Sequence, residues 1–292
     1  MSQMLKSSGA MGVATLASRV LGMVREMAYA RFMGDGWVAG AFTLAFTIPN
    51  LFRRLLGEGA LTAAFIPIFK EKEKRDGDAA MWHAANAVIS GLIVFATAVI
   101  LLGFIGVTAL ISYGARGEGG HSHFTGNTLL VLQLLRVMLP YLLLVCLAAV
   151  FMGMLNARGH FFIPALGAAM LNLVMIASVF FLAPRLGTQL HEKIFALAIG
   201  VVVAGVVQAW FQLPSLHREG FRYRWVTPWR DETVRRVVKQ MLPAAIGVAA
   251  FQINVVLVNV VGYWVADYIV SSFQYAVRLM ELPQGLFGVT LA

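Results

Sequence analysis

Six arginines lie inside or at the edge of stretches that otherwise read as membrane-spanning: Arg19, Arg25, Arg53, Arg54, Arg136 and Arg278. Placing one charged side chain at a bilayer centre costs at least about 2.5–3.5 kcal/mol, so such residues face a protein interior or a water-filled cavity. Glu26, Glu58 and Glu281 are the acids close enough in sequence to serve as partners. Six cations against three anions leave about +3 in the membrane-embedded part, a balance suited to holding an anion. Guanidinium groups stay charged at all accessible pH, so the cavity would remain cationic whether or not an anion is bound.

The elements that must position these residues are hydrophobic helices. Of the 292 residues, 59% are hydrophobic and only 13% charged, with a mean hydropathy of +0.77, which departs strongly from soluble usage. The runs Ala84–Tyr113, Val137–Ala157, Phe161–Pro184, Ile194–Leu216 and Met241–Ala266 contain no charge. Each is long enough to cross about 30 Å of hydrocarbon. Three further spans are interrupted. Residues 7–32 carry Arg19, Arg25 and Glu26, with Arg19 aligned to Glu26 and Ser18 to Arg25 at seven-residue spacing. Residues 36–69 form a helix with bend points expected at Pro49 and Gly57–Glu58–Gly59. The eighth begins near Tyr268 and carries Arg278, Glu281 and Pro283. It stops at Ala292 within an apolar run, as a truncated second lobe would.

Lys6, the apolar run to Ser18 and Ala28-Tyr29-Ala30 imitate a signal peptide. Two arginines and a glutamate before the apparent cleavage site favour a retained first helix. With the N-terminus cytoplasmic, the inner segments hold 13 lysines and arginines and the outer ones 4, which sets that orientation. The same asymmetry accounts for the net charge of +9 without nucleic acid. The alternating run Lys70–Arg75 reads as a solvated helix end, and the basic 218–239 segment as one attracted to anionic lipid. Cys146 stands alone within a span, so there is no disulfide framework.

Leu51–Leu61 and Tyr275–Pro283 each place an arginine a few residues before a glutamate, six helices apart. That offset suggests two parallel bundles meeting at a central site. The expected division is an N-terminal lobe over residues 1–216, a basic inter-lobe loop over 217–240, and the start of a second lobe over 241–292.

The segment Ser18-Arg19-Val20-Leu21-Gly22-Met23-Val24-Arg25-Glu26 resembles the first-helix signature of the MurJ (MviN) lipid II flippases. So do Ile48-Pro49-Asn50-Leu51-Phe52-Arg53-Arg54 with Glu58-Gly59-Ala60, then Ala64-Phe65-Ile66-Pro67-Ile68, and Tyr275–Pro283. The resemblance implies an all-α integral membrane protein of the multidrug/oligosaccharidyl-lipid/polysaccharide exporter superfamily. About eight helices of an expected fourteen would be present, in two parallel six-helix lobes around a cationic cavity. It further implies a bacterial inner-membrane protein carrying lipid II, the undecaprenyl-diphosphate-linked muropeptide, to the periplasmic leaflet, and leaves cell-wall synthesis machinery open as a partner. Carried over by position, the substrate-binding residues would be Arg19, Arg25, Arg53 and Arg278, with Ser18, Glu58 and Glu281 beside them. Gly40 and Thr47 depart from the family, standing where many members have an acid and some a lysine.

Plainer readings accompany these assignments. Arg54 can snorkel or pair with Glu58, Arg136 can snorkel at a helix end, and Glu26 can neutralise the Arg19 face. His121 and His123 have no third ligand nearby in sequence. A flippase for another polyprenyl-diphosphate saccharide fits the same residues. A multidrug cation exporter fits less well, since it would favour acids and aromatics. An integral-membrane enzyme would need an acid/base or metal cluster, and no D-D-x-x-D run, paired intramembrane histidines or Walker loop is present. No cofactor is implied. Without a nucleotide-binding segment, transport should be secondary, with a coupling ion or membrane potential left open.

Overall fold

The computed structural model describes residues 2–54, 60–115, 124–266, 268–277 and 279–280. Among them the chain is helical, without strands. The helices are α1 (Ser2–Met33), α2 (Trp37–Phe52), α3 (Ala60–Ala115), α4 (Gly126–Met138), α5 (Tyr141–Ala157), α6 (Phe162–Ala177), α7 (Leu190–Lys193), α8 (Phe195–Arg218) and α9 (Glu232–Val265). Residues 269–277 are also helical. The packing order is α1 on α6, α6 on α8, α8 on α5, α5 on α3, and α3 on α9, with α2 on α4.

Length and composition make Leu61–Ala115, Phe162–Arg185 and Leu190–Arg218 individually able to cross a membrane. The pair Gly126–Met138 and Tyr141–Ala157, bent by 44°, is a fourth candidate. The bend falls at Pro140, whose ring cannot continue the α4 hydrogen-bond ladder. This span therefore begins well before Val137, and Arg136 belongs to the last turn of α4 instead of preceding a helix. Its guanidinium carbon lies 5.9 Å from the centre of the Phe104 ring.

The charged run at residues 70–75 continues the helix that begins at Ala60. Only at Gly77, with φ +81°, does the chain turn before the apolar stretch of α3. That left-handed backbone is accessible to glycine and strained for most other residues. The basic inter-lobe segment also differs from a simple loop. Asp231 caps α9, accepting from the N–H of Thr233 at 2.8 Å and of Val234 at 3.3 Å. The helix thus starts nine residues before the apolar run at Met241, and its 34 residues extend about 50 Å.

Close helix contact relies on small residues, as expected where lipid is as apolar as the protein. Residues 178–182 widen into a π-turn, with Ser178 Oγ donating to the Val174 carbonyl at 2.8 Å. Gly200 of α8 packs there: a Cβ on it would stand 2.3 Å from Ser178 Oγ. An aromatic ladder joins three elements, with ring centres 6.1 Å apart for Tyr29–Phe42, 6.0 Å for Phe42–Phe46 and 6.2 Å for Phe46–Tyr141.

Candidate functional site

Ser18, Gly22, Arg25 and Tyr29 recur at helical spacing along α1, and three of them meet one side chain of α6. Arg25 Nη1 donates to Asn172 Oδ1 at 3.0 Å, and Asn172 Nδ2 donates to the Ser18 carbonyl at 3.0 Å. Gly22 lies against this amide, where a Cβ would meet Asn172 Nδ2 at 3.5 Å, an ordinary van der Waals distance. Arg25 Nη2 pairs with the carboxylate of Glu26. The guanidinium carbon also sits 5.5 Å from the centre of the Tyr29 ring, a favourable cation–π approach. Arg25 is 16% exposed at its side chain and Asn172 only 7%. A charge this far out of water persists because a carboxylate, an amide oxygen and an aromatic face compensate it together. Arg25 Nε is buried without a hydrogen-bond partner, leaving one donor of the guanidinium unsatisfied.

Arg19 is placed differently. It is exposed, on a stripe with Leu16, Val20, Met23 and Met27, all exposed as well. Arg25 therefore faces α6 while Arg19 faces away from it. The seven-residue alignment of Arg19 with Glu26 stands, yet Glu26 reaches its chain neighbour Arg25.

Arg53 lies where α2 passes into a π-turn at residues 53–54. It is half-buried, and its Nε donates to Asn50 Oδ1 at 2.9 Å. Arg54 is half-buried in the same turn. Arg278, Glu58 and Glu281 lie outside the described residues, as do His121 and His123. Among the described residues, no group of three or more His, Cys, Asp or Glu side chains could hold a metal ion.

Sequence reasoning missed Asn172, which ties Arg25 and Ser18 to α6. Its signal was available: an amide in the otherwise apolar run Phe161–Pro184 is costly unless it bonds across helices. A second polar seam was also missed. Asn259 of α9, 3% exposed, donates through Nδ2 to Thr47 Oγ1 at 3.3 Å, and Gln274 Nε2 donates to Asn259 Oδ1 at 3.5 Å. Beside it, Tyr275 OH donates to the Gly34 carbonyl at 3.0 Å and Ser271 Oγ to the Asp35 carbonyl at 2.9 Å. Thr47, where some relatives of the resembled family have a lysine, thus carries a neutral contact between α2 and α9. Gly40 is buried within α2.

The end of the bundle near residues 70–80 carries a third cluster. Arg158 bonds Glu73 and, at 2.8 Å, Glu219, while His160 Nε2 lies 2.7 Å from Glu219. The hydrogen bond with His160, then that with Arg158, hold the Glu219 carboxyl below the usual carboxylate range. Arg236 forks onto both Glu71 oxygens at 2.9 and 2.7 Å. The charged run is therefore a docking edge for α9 and for the turn after α8, beyond a merely solvated helix end.

The fold is similar to solved transporters. Against a structure titled "Lipid II flippase MurJ, inward closed conformation", the TM-score is 0.77 at 24% identity, covering 96% of this chain and 56% of that one. Against a MATE protein in complex with MaD3S, the TM-score is 0.65 at 16% identity, covering 95% of this chain and 60% of that one. In sequence, the chain is 35% identical over 286 residues to a probable lipid II flippase MurJ of Haemophilus influenzae, covering 95% of this chain and 54% of that protein. It is 37% identical over 295 residues to a probable lipid II flippase MurJ of Bdellovibrio bacteriovorus, covering 99% and 54%. The chain spans about half the length of these relatives. The family profile described as "Lipid II flippase MurJ" matches residues 29–292. With that match over most of its length, the chain belongs to the MurJ family.

Proposed function

We propose that the protein moves lipid II, an undecaprenyl-diphosphate-linked muropeptide, from the cytoplasmic to the periplasmic leaflet of the bacterial inner membrane. The N-terminus is cytoplasmic, and residues 1–216 form one lobe joined through 217–240 to a second that begins at 241. The lobes alternate access to a site between them, where Arg19, Arg25, Arg53 and Arg278 contact the diphosphate. Ser18, Glu58 and Glu281 stand beside them and balance the charge when the site is empty. No cofactor takes part; the membrane potential or a coupling ion supplies the driving force.

The observation that carries this reading is the state of Arg25. It is a permanent cation in an apolar helix, kept half-buried by Glu26, Asn172 and Tyr29. Exchange of the Glu26 carboxylate for a diphosphate oxygen would keep Arg25 paired with an anion, and the second negative charge of the diphosphate would be left for Arg19, six residues away and exposed. The names of the relatives support lipid II as the substrate. Another polyprenyl-diphosphate saccharide would satisfy the same arginines and is the second reading. The likeness to a MATE protein concerns the fold, and a cation exporter is disfavoured by the arginine excess.

The test is complementation of bacteria depleted of their lipid II flippase by the full-length parent gene, comparing wild type with Arg19→Ala and Arg278→Ala. Growth with wild type and lysis with both variants, at equal membrane levels, is expected. A well-inserted wild-type protein that fails to support growth overturns lipid II as the substrate. Growth with both variants overturns the arginine contacts.

A further inference from the structure

The chain between α8 and α9 is folded back as a fixed hairpin-like strap along α3. Phe221 is buried, its ring centre 5.6 Å from Trp82 and 6.2 Å from Phe151. Asn86 Nδ2 donates to the Arg222 carbonyl at 3.1 Å, Tyr223 OH lies 3.1 Å from Ser90 Oγ, and the Val226 N–H donates to Ser90 Oγ at 3.2 Å. Pro228 is buried over Gly91, and Asp231 returns to His83 at 3.2 Å. The strap thus follows α3 from residue 82 to 91, about 13 Å at the helical rise, and comes back. Its tip lies alongside the charge-free run that starts at Ala84, and its two ends lie at the charged edge formed by Glu71, Glu73 and Arg158.

The residues between the anchors point outward. Arg222, Arg224 and Arg230 are exposed, as are Tyr223, Trp225 at 56% and Trp229 at 65%. Among the described residues no ion pair engages these arginines: Glu219 is held by Arg158 and His160, Asp231 by His83 and the α9 cap, and Glu232 lies in the first turn of α9. Two bare indoles between three unneutralised guanidinium groups, at the boundary of an apolar span, match the composition of the headgroup region. We propose that this strap is a docking surface for anionic phospholipid headgroups: the arginines contact phosphates while Trp225 and Trp229 enter the headgroup–acyl boundary. The bonds that shape the strap use the Arg222 backbone, Ser90 and two buried apolar anchors, so the arginine side chains are held ready for ligand and are dispensable for folding. The inference needs a membrane-spanning protein and is independent of which substrate is carried.

The full-length protein is labelled with a nitroxide at Thr227→Cys in a Cys146→Ala background and placed in phosphatidylcholine nanodiscs containing increasing phosphatidylglycerol. Label depth is read by paramagnetic relaxation from oxygen against a water-soluble nickel chelate. The label is expected to become oxygen-accessible and nickel-protected as phosphatidylglycerol rises. The midpoint of that change should shift upward by roughly five-fold for each of Arg222, Arg224 and Arg230 replaced by glutamine. Trp225→Ser with Trp229→Ser should leave the label nickel-accessible throughout. A depth that ignores phosphatidylglycerol, or that is unchanged in the triple glutamine variant, overturns the proposal. The thermal midpoint of each variant, expected to equal that of the labelled parent, separates lost lipid contact from a misfolded strap.

Discussion

Asn172 on α6 accepts from Arg25 at 3.0 Å and donates to the Ser18 carbonyl at 3.0 Å, so a single amide grips α1 at two positions seven residues apart. This orients the guanidinium and fixes the rotation of α1, which leaves Arg19 on the opposite, exposed stripe. One helix thereby offers two arginines with different duties: Arg25 is integral to the packing, and Arg19 is free of α6.

Replacing Asn172 with leucine is expected to strand Arg25 and destabilise the protein by about 1–3 kcal/mol. The check is the unfolding midpoint of the full-length protein in detergent. An unchanged midpoint would show that Glu26 and Tyr29 suffice for Arg25.

Arg19 and Arg25 should separate by assay. Arg19→Ala is expected to unfold like the wild type yet abolish complementation. Arg25→Ala should fail in both respects, and Arg25→Lys should fail to restore function because an ammonium cannot serve an amide, a carboxylate and a ring from one planar fork. Equal thermal stability of the two alanine variants would contradict the packing role.

Acid should weaken the Arg158–Glu219–His160 cluster. Because the folded Glu219 carboxyl titrates below its ordinary value, its contribution is complete above the unfolded value of about 4.3 and is lost as pH falls through the folded one. The cluster is solvent-screened, so the effect is at most about 1 kcal/mol. Glu219→Gln should flatten the decline in unfolding midpoint between about pH 5 and pH 3. A wild-type profile identical to that of the variant would exclude this pairing.

Gly200→Ala is expected to cost about 1–3 kcal/mol by overpacking against Ser178, and Ser178→Gly should relieve much of it. A double-mutant cycle on unfolding stability measures the coupling. Additive effects would mean that the π-turn simply moves aside.

If the lobes separate during transport, the contact between Thr47 and Asn259 must open. Cysteines at both positions, in a Cys146→Ala background, should crosslink under oxidation, arrest transport and release it on reduction. Undiminished transport by a fully crosslinked protein would place the moving interface elsewhere.

The amino-acid sequence by itself determined the helical, membrane-embedded class, because runs as apolar as Phe161–Pro184 and Ile194–Leu216 have no soluble alternative. It also aligned Arg19 with Glu26 and Ser18 with Arg25 along α1, since helical periodicity is a local property. Helix boundaries were less legible where local signals compete. The charged 70–75 run stays helical to Gly77, and α9 starts at its Asp231 cap instead of at the apolar boundary. Only the tertiary structure decided which side chains meet. Asn172 and Arg25 are 147 residues apart, and Asn259 and Thr47 are 212 apart. No local periodicity encodes such pairs; they follow from how α6 rotates against α1 and how α9 approaches α2. Those rotations are set by the close packing of small residues and by each buried polar group having to find a partner.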